Sequence, residues 1–144
     1  MKHLLFALPV ILLTACQQKT SNAYTPGFGE LMSSIQLHHS KLWFAGKDQN
    51  WALAAYEQSL IQSAFKRIEK YHSDNPNAKA LGMITLPMDS IQHAIAQKDL
   101  PSFSRSFLFL TTTCNNCHQV TKHGFNKIIV PATNPFTNQD FTNP

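Results

Sequence analysis

The chain has 144 residues, with 12 basic side chains, 8 acidic ones and 7 histidines, for a formal charge of +4. That length allows one compact core once a leader is removed. Charged residues make up only 14% of the chain and the acidic ones are scattered, so no acid–base constellation for catalysis is visible and the chain does not read as an enzyme. No basic run interleaved with aromatics offers a nucleic-acid surface, although the mild positive balance suits docking to an acidic protein partner.

Residues 1–15 read as a secretory signal peptide. Met1-Lys2-His3 is a basic start, Leu4 to Leu13 an apolar run broken by Pro9, and the stretch is too short for a stable membrane span. Leu13-Thr14-Ala15-Cys16 resembles the lipobox of bacterial lipoproteins. That resemblance implies acylation of Cys16, a membrane anchor through the lipid and, with Gln17 in place of Asp after the cysteine, the outer membrane facing the periplasm. The plainer reading is an ordinary cleavage site that holds a cysteine. Loss of Lys2 leaves 11 basic side chains against 8 acidic ones. Residues 16–26 read as a polar, lipidated tether, and residues 27–124 as the folded domain.

Beyond Gly27 the apolar pattern is helical. Leu31, Met32, Ile35, Leu42 and Trp43 recur at three- and four-residue steps from Phe28, and Gly46 provides a stop. A second helix is expected from Trp51 through Tyr56, Leu60, Ile61, Phe65 and Ile68 toward Tyr71, ending before Asn75-Pro76, with Trp51 and Tyr56 in the core. A third follows Thr85, with Pro87 in its first turn and Met88, Ile91, Ala94 and Ile95 inward. The fourth opens at Asp99 as N-cap, with Pro101 early. It carries Phe103, Phe107, Leu110 and Cys114 on one stripe that continues to Cys117 and His118. Short connections and the absence of any alternating strand pattern predict an all-α, antiparallel four-helix bundle.

That fourth helix carries the most specific signal in the chain. Cys114-Asn115-Asn116-Cys117-His118 is the C-x-x-C-H signature of covalent haem attachment: two thiols form thioethers with the vinyl groups of one haem c, and the imidazole becomes the proximal iron ligand. Rival readings are a redox disulfide and half of a zinc site. A zinc site wants a second ligand pair at compatible spacing, and only His123, five residues beyond His118, offers itself. With Cys16 acylated and Cys114 and Cys117 on haem, all three cysteines of an exported chain are accounted for.

Residues 125–144 leave the helical period. They hold Pro131, Pro135 and Pro144 among many Asn and Thr, with spaced apolar Ile128, Ile129, Val130, Phe136 and Phe141. Composition at a terminus makes an irregular, disordered tail the default expectation. Its spaced apolar residues predict instead one that wraps back over the bundle and shields a haem edge.

The motif near the end of a fourth helix resembles the four-helix cytochromes c, the cytochrome c prime group and its low-spin relatives. Leu37 to Gly46 and His123-Gly124-Phe125 are similar to stretches of uncharacterised cytochrome c-like bacterial lipoproteins. The resemblance implies His118 as proximal ligand and a basic residue four positions later, here Lys122, at a propionate or the haem edge. It also implies Lys41 as a propionate partner, and it allows a homodimer formed through the first two helices.

The sixth iron position separates the functions. Met32 near the start of the first helix is expected level with the end of an antiparallel fourth helix, where His118 sits, and a thioether is a known axial ligand. His39 lies two turns on, about 10.5 Å along the axis. His39 and His38 are the competing distal ligands, or else packing histidines with satisfied ring nitrogens. His123 is too close to the motif to ligate the same iron and is expected at a ring edge or propionate, while His72 and His93 are expected to be solvated. A six-coordinate haem predicts an electron carrier with a redox protein partner. A five-coordinate one predicts a module that binds or senses a small gas such as NO or CO. The remaining reading is a haem-free metal-binding or structural lipoprotein.

Overall fold

The computed structural model describes residues 24–144; the stretch expected to be a signal peptide, Cys16 and most of the expected tether lie outside the described residues. The described chain forms four α-helices, α1 (Phe28–Lys47), α2 (Trp51–Tyr71), α3 (Thr85–Gln97) and α4 (Leu100–Val120), with a 3-10 segment, Pro76–Ile84, between α2 and α3. Helix α1 packs most extensively on α2, and α3 on α4; contacts of α2 with α3 and of α1 with α4 close the bundle. The all-α antiparallel four-helix bundle expected from periodicity is therefore present. Among the described residues, no helix is long and apolar enough to cross a membrane.

Local chemistry sets the boundaries. The Asn50 side chain accepts from the Leu53 amide at 3.1 Å and starts α2, after a turn in which Gln49 takes a left-handed φ of 58°. Asp99 accepts from the Ser102 amide at 3.2 Å and starts α4, with Pro101 in the first turn, where its missing N–H costs nothing. Thr85 does not cap α3. The 3-10 segment runs directly into it, with Ile84 already in helical backbone geometry. That segment begins where the Asn75 side chain accepts from the Asn77 amide at 3.0 Å, and it buries Leu81 and Ile84.

Two expectations for burial are corrected. Tyr56, expected in the core, is 58% exposed. The inward stripe of α2 is Ala54, Glu57, Gln58, Ile61, Ala64 and Ile68, at three- and four-residue steps, and Tyr56 lies off it. His72, expected in solvent, is half-buried: its Nε2 lies 2.8 Å from the Pro26 carbonyl, and its ring meets Phe28 edge-on at 5.7 Å. Trp51 is half-buried against the core, as is Trp43.

Phe103 and Phe107 of α4 are fully buried and fill the centre between α1 and α4. Phe103 stacks on Trp43 at 6.3 Å and meets Trp51 edge-on at 6.0 Å. This packing requires Gly46: a Cβ there would fall on the ring of Phe103, which is hemmed in on both sides. Gly46→Ala improves helix propensity by about 1 kcal/mol, but overpacking a rigid aromatic cluster costs about 1–3 kcal/mol or more. The expected outcome is a net loss of about 1 kcal/mol, measured as a lower urea midpoint with an unchanged slope.

The tail wraps back over the bundle. Phe141 is 2% exposed and packs on Phe44 and Phe136 at 5.8 Å each; the Asn50 side-chain amide donates to the Thr142 carbonyl at 2.8 Å.

Candidate functional site

The register of α1 on α4 follows from three contacts. His39 Nε2 lies 2.9 Å from Thr111 Oγ1, Trp43 packs on Phe107 at 4.9 Å, and Gly46 abuts Phe103. As one helix ascends the other descends, so residues on the two strands of this seam share a level when their numbers keep a constant sum. Seven residues back from His39 is Met32, and seven residues on from Thr111 is His118. At 1.5 Å per residue both lie about 10.5 Å beyond the His39–Thr111 pair, at the same end of the bundle.

A cavity of about 390 Å³ lies at that end, within the range of about 300–1,000 Å³ usual for ligand pockets. Helix α1 lines it with Phe28, Met32, Ile35 and His39, and α4 lines it with Cys114, Cys117 and His118. Phe65 of α2, Leu81 and Ile84 of the 3-10 segment, and His123, Asn126 and Ile128 beyond α4 also line it, together with the polar side chains of Ser33, Gln36, Asn75, Asn77 and Thr121. The structure thus brings together Met32, His39, Cys114, Cys117 and His118. Lys122 and His38 do not line the cavity.

Helical spacing puts Cys114 and Cys117 one turn apart on the inward side of α4. Both are free thiols. Burial, with the neighbouring Cys117 adding to it, pushes the Cys114 thiol up to about 12, and burial also raises Cys117. Protonated, shielded thiols of this kind are poor redox nucleophiles, which a thioredoxin-like pair needs to be. Cys117 Sγ faces the Ala80 carbonyl at 4.0 Å, so the 3-10 segment covers the motif. Among the described residues, no three His, Cys, Asp or Glu side chains gather as a metal-binding group.

His118 is oriented by the chain that follows it. Its Nδ1 lies 2.6 Å from the Asn126 carbonyl, which can only accept, so Nδ1 carries the proton and Nε2 keeps the lone pair. That carbonyl is delivered by a reversal at the end of α4. Lys122 takes a left-handed φ of 64°, its amide donates to the Gln119 carbonyl at 3.1 Å, and the His123 amide donates to the His118 carbonyl at 2.6 Å. This is a Schellman ending with lysine where glycine is usual. Lys122, matched to a haem-edge position by resemblance, therefore has a backbone role and an exposed side chain.

The two histidines of α1 have separate fates. His38 Nδ1 pairs with Glu57 of α2 at 2.7 Å, away from the cavity. His39 is 4% exposed, and burial lowers its pKa to about 4, so it is neutral at pH 7. Thr111 donates its hydroxyl hydrogen to the Phe107 carbonyl at 2.9 Å and so accepts from His39, which places the His39 proton on Nε2. Lys41, a propionate candidate by resemblance, sits over the Phe136 ring at 5.3 Å, under the tail. His123 lies at the cavity wall with its Nδ1 2.7 Å from the Thr121 carbonyl, and His93 is exposed.

Sequence reasoning missed Asn115, Asn126 and Thr111, which hold the site residues in place; all three read as ordinary polar helix and loop positions. No protein-family model, no curated protein and no solved structure matches this chain.

Proposed function

We propose that this chain is a single-haem c-type cytochrome that carries electrons, in which Cys114 and Cys117 would hold haem c and His118 and Met32 would ligate its iron. The observation that carries this reading is that Met32, His118 and both motif cysteines line one cavity, and the α1–α4 register extrapolates Met32 and His118 to a common level. When bound, haem supplies a one-electron Fe(III)/Fe(II) couple, and a methionine ligand raises its potential. The residues present fit the group. Cys114 and Cys117 would hold the group by adding their S–H across its vinyl groups, the hydrogen passing to the vinyl carbon, and the His118 Nε2 lone pair would be available to the iron. Phe28, Phe65, Leu81 and Ile84 give the cavity apolar walls that would limit water around a bound haem.

Export by the signal peptide, acylation of Cys16 and an outer-membrane position facing the periplasm belong to the same proposal, since c-type haem is attached outside the bacterial cytoplasm. A redox protein is the partner. Expression with a haem-attachment system should yield a covalent Soret-absorbing species with a low-spin reduced spectrum, and the double variant Cys114→Ser/Cys117→Ser should lose all acid-stable haem. No Soret band in the wild type would reduce the protein to a haem-free lipoprotein, and a high-spin spectrum that shifts with CO would make it a gas-binding module.

A further inference from the structure

Asn115, the first variable residue of the C-x-x-C-H motif, faces the loop beyond α4. Its side-chain amide donates to the Ile128 carbonyl at 2.8 Å, and its side-chain oxygen accepts from the Ile128 amide at 2.8 Å. A primary amide that closes both bonds with one residue's backbone fixes that residue in position and orientation. Two residues upstream of the clamped Ile128 is Asn126, whose carbonyl receives His118 Nδ1–H. The loop is held at its other end by the reversal at Lys122 and by the Asn126 amide, which donates to the His123 carbonyl at 2.8 Å. Thus the segment presenting the carbonyl to His118 is tied at both ends, and one tie is a side chain of the motif itself.

We propose that Asn115 is a positioning residue for the iron site: by clamping Ile128 it holds the Asn126 carbonyl on His118 Nδ1–H, selecting the tautomer and raising the basicity of the nitrogen that meets the metal. The inference rests on the haem reading. Hydrogen-bond partners of a ligating imidazole orient the ring and strengthen it as a donor, which favours the ferric state. Asn115 touches neither iron nor ring; it acts through the loop. Asn116, its neighbour in the motif, is exposed and serves as the control.

The test compares full-length wild type, Asn115→Ala, Asn115→Asp and Asn116→Ala by two readouts. In the haem-loaded proteins the reduction potential is measured. In the chain before haem attachment, nitrogen NMR reads which ring nitrogen of His118 is protonated and how fast that proton exchanges. Wild type and Asn116→Ala should show Nδ1–H. Asn115→Ala should exchange this proton at least tenfold faster and lose about tenfold in the preference for ferric over ferrous iron, an upward shift of about 59 mV. Asn115→Asp keeps only the acceptor for the Ile128 amide and should fall between them. Equal potentials and exchange rates in Asn115→Ala and wild type would overturn the proposal, as would an equal response from Asn116→Ala. If Asn115→Ala does not fold, wild-type values for Asn115→Asp overturn it. If no variant takes up haem the functional reading fails, while the tautomer and exchange data still decide whether Asn115 governs His118.

Discussion

Replacing Met32 with alanine is expected to turn a six-coordinate, low-spin haem protein into a five-coordinate, high-spin one. The change should abolish the methionine-to-iron charge-transfer band, lower the reduction potential and create a CO-binding form. The size of the effect follows from what else stands on that side of the cavity. His39 is about 10.5 Å deeper along α1, and its Nε2–H is committed to Thr111. His38 is held by Glu57 on the α2 side. The remaining wall residues of α1 near the level of Met32 are Phe28, Gly29, Ser33, Ile35 and Gln36, none a strong iron ligand. His39→Gln should leave the low-spin spectrum intact. A low-spin spectrum that survives Met32→Ala and disappears in His39→Gln would transfer the sixth position to His39. Optical spectra of the two variants, oxidised and reduced, decide it.

The seam that places Met32 and His118 was legible in the sequence only in outline. Periodicity located α1 and α4, because Leu31, Ile35 and Leu42 on one and Phe103, Phe107 and Leu110 on the other repeat at helical steps and bury strongly. Asp99 and Pro101 announced the start of α4 because capping chemistry is local. Antiparallel connection then put Met32 near His118 to within a turn, and the Thr111–His39 bond supplied the exact level. What failed was non-local. The inward stripe of α2 runs through small Ala54 and Ala64 and polar Glu57 and Gln58, so an aromatic at position 56 looked more like core than the true core did. Burial of Glu57 depends on His38, 19 residues away in sequence, and nothing local reveals such a pair. The 3-10 segment was hidden because Asn75-Pro76 marks only the end of α2 and residues 77–84 carry no helical period of their own. The clamp between Asn115 and Ile128 joins a helix to a tail whose composition suggests no fixed partner.

Acid should destabilise this fold in a window set by His39. Burial lowers its pKa from 6.5 to about 4, because a charged imidazole among Phe107, Thr111 and the cavity wall would lose its hydration without gaining a counter-charge. The unfolded chain titrates this group near 6.5, so between the two values the unfolded state binds a proton that the folded state refuses. Stability is complete above about pH 6.5 and falls as pH drops toward 4, by about 3 kcal/mol at 1.36 kcal/mol per unit. Asp99 and Asp140 are also lowered, but from 3.8 and by hydrogen bonds from Ser102 and Thr142, so the stability they add is present above that value and is lost only below it. The two windows are therefore separate. Urea unfolding of the wild type at pH 7.5, 5.5 and 4.5 should show a steadily falling midpoint, and His39→Gln, whose side-chain amide can still donate to Thr111, should remove most of that slope. An undiminished slope in His39→Gln would place the acid-sensitive group elsewhere in the bundle.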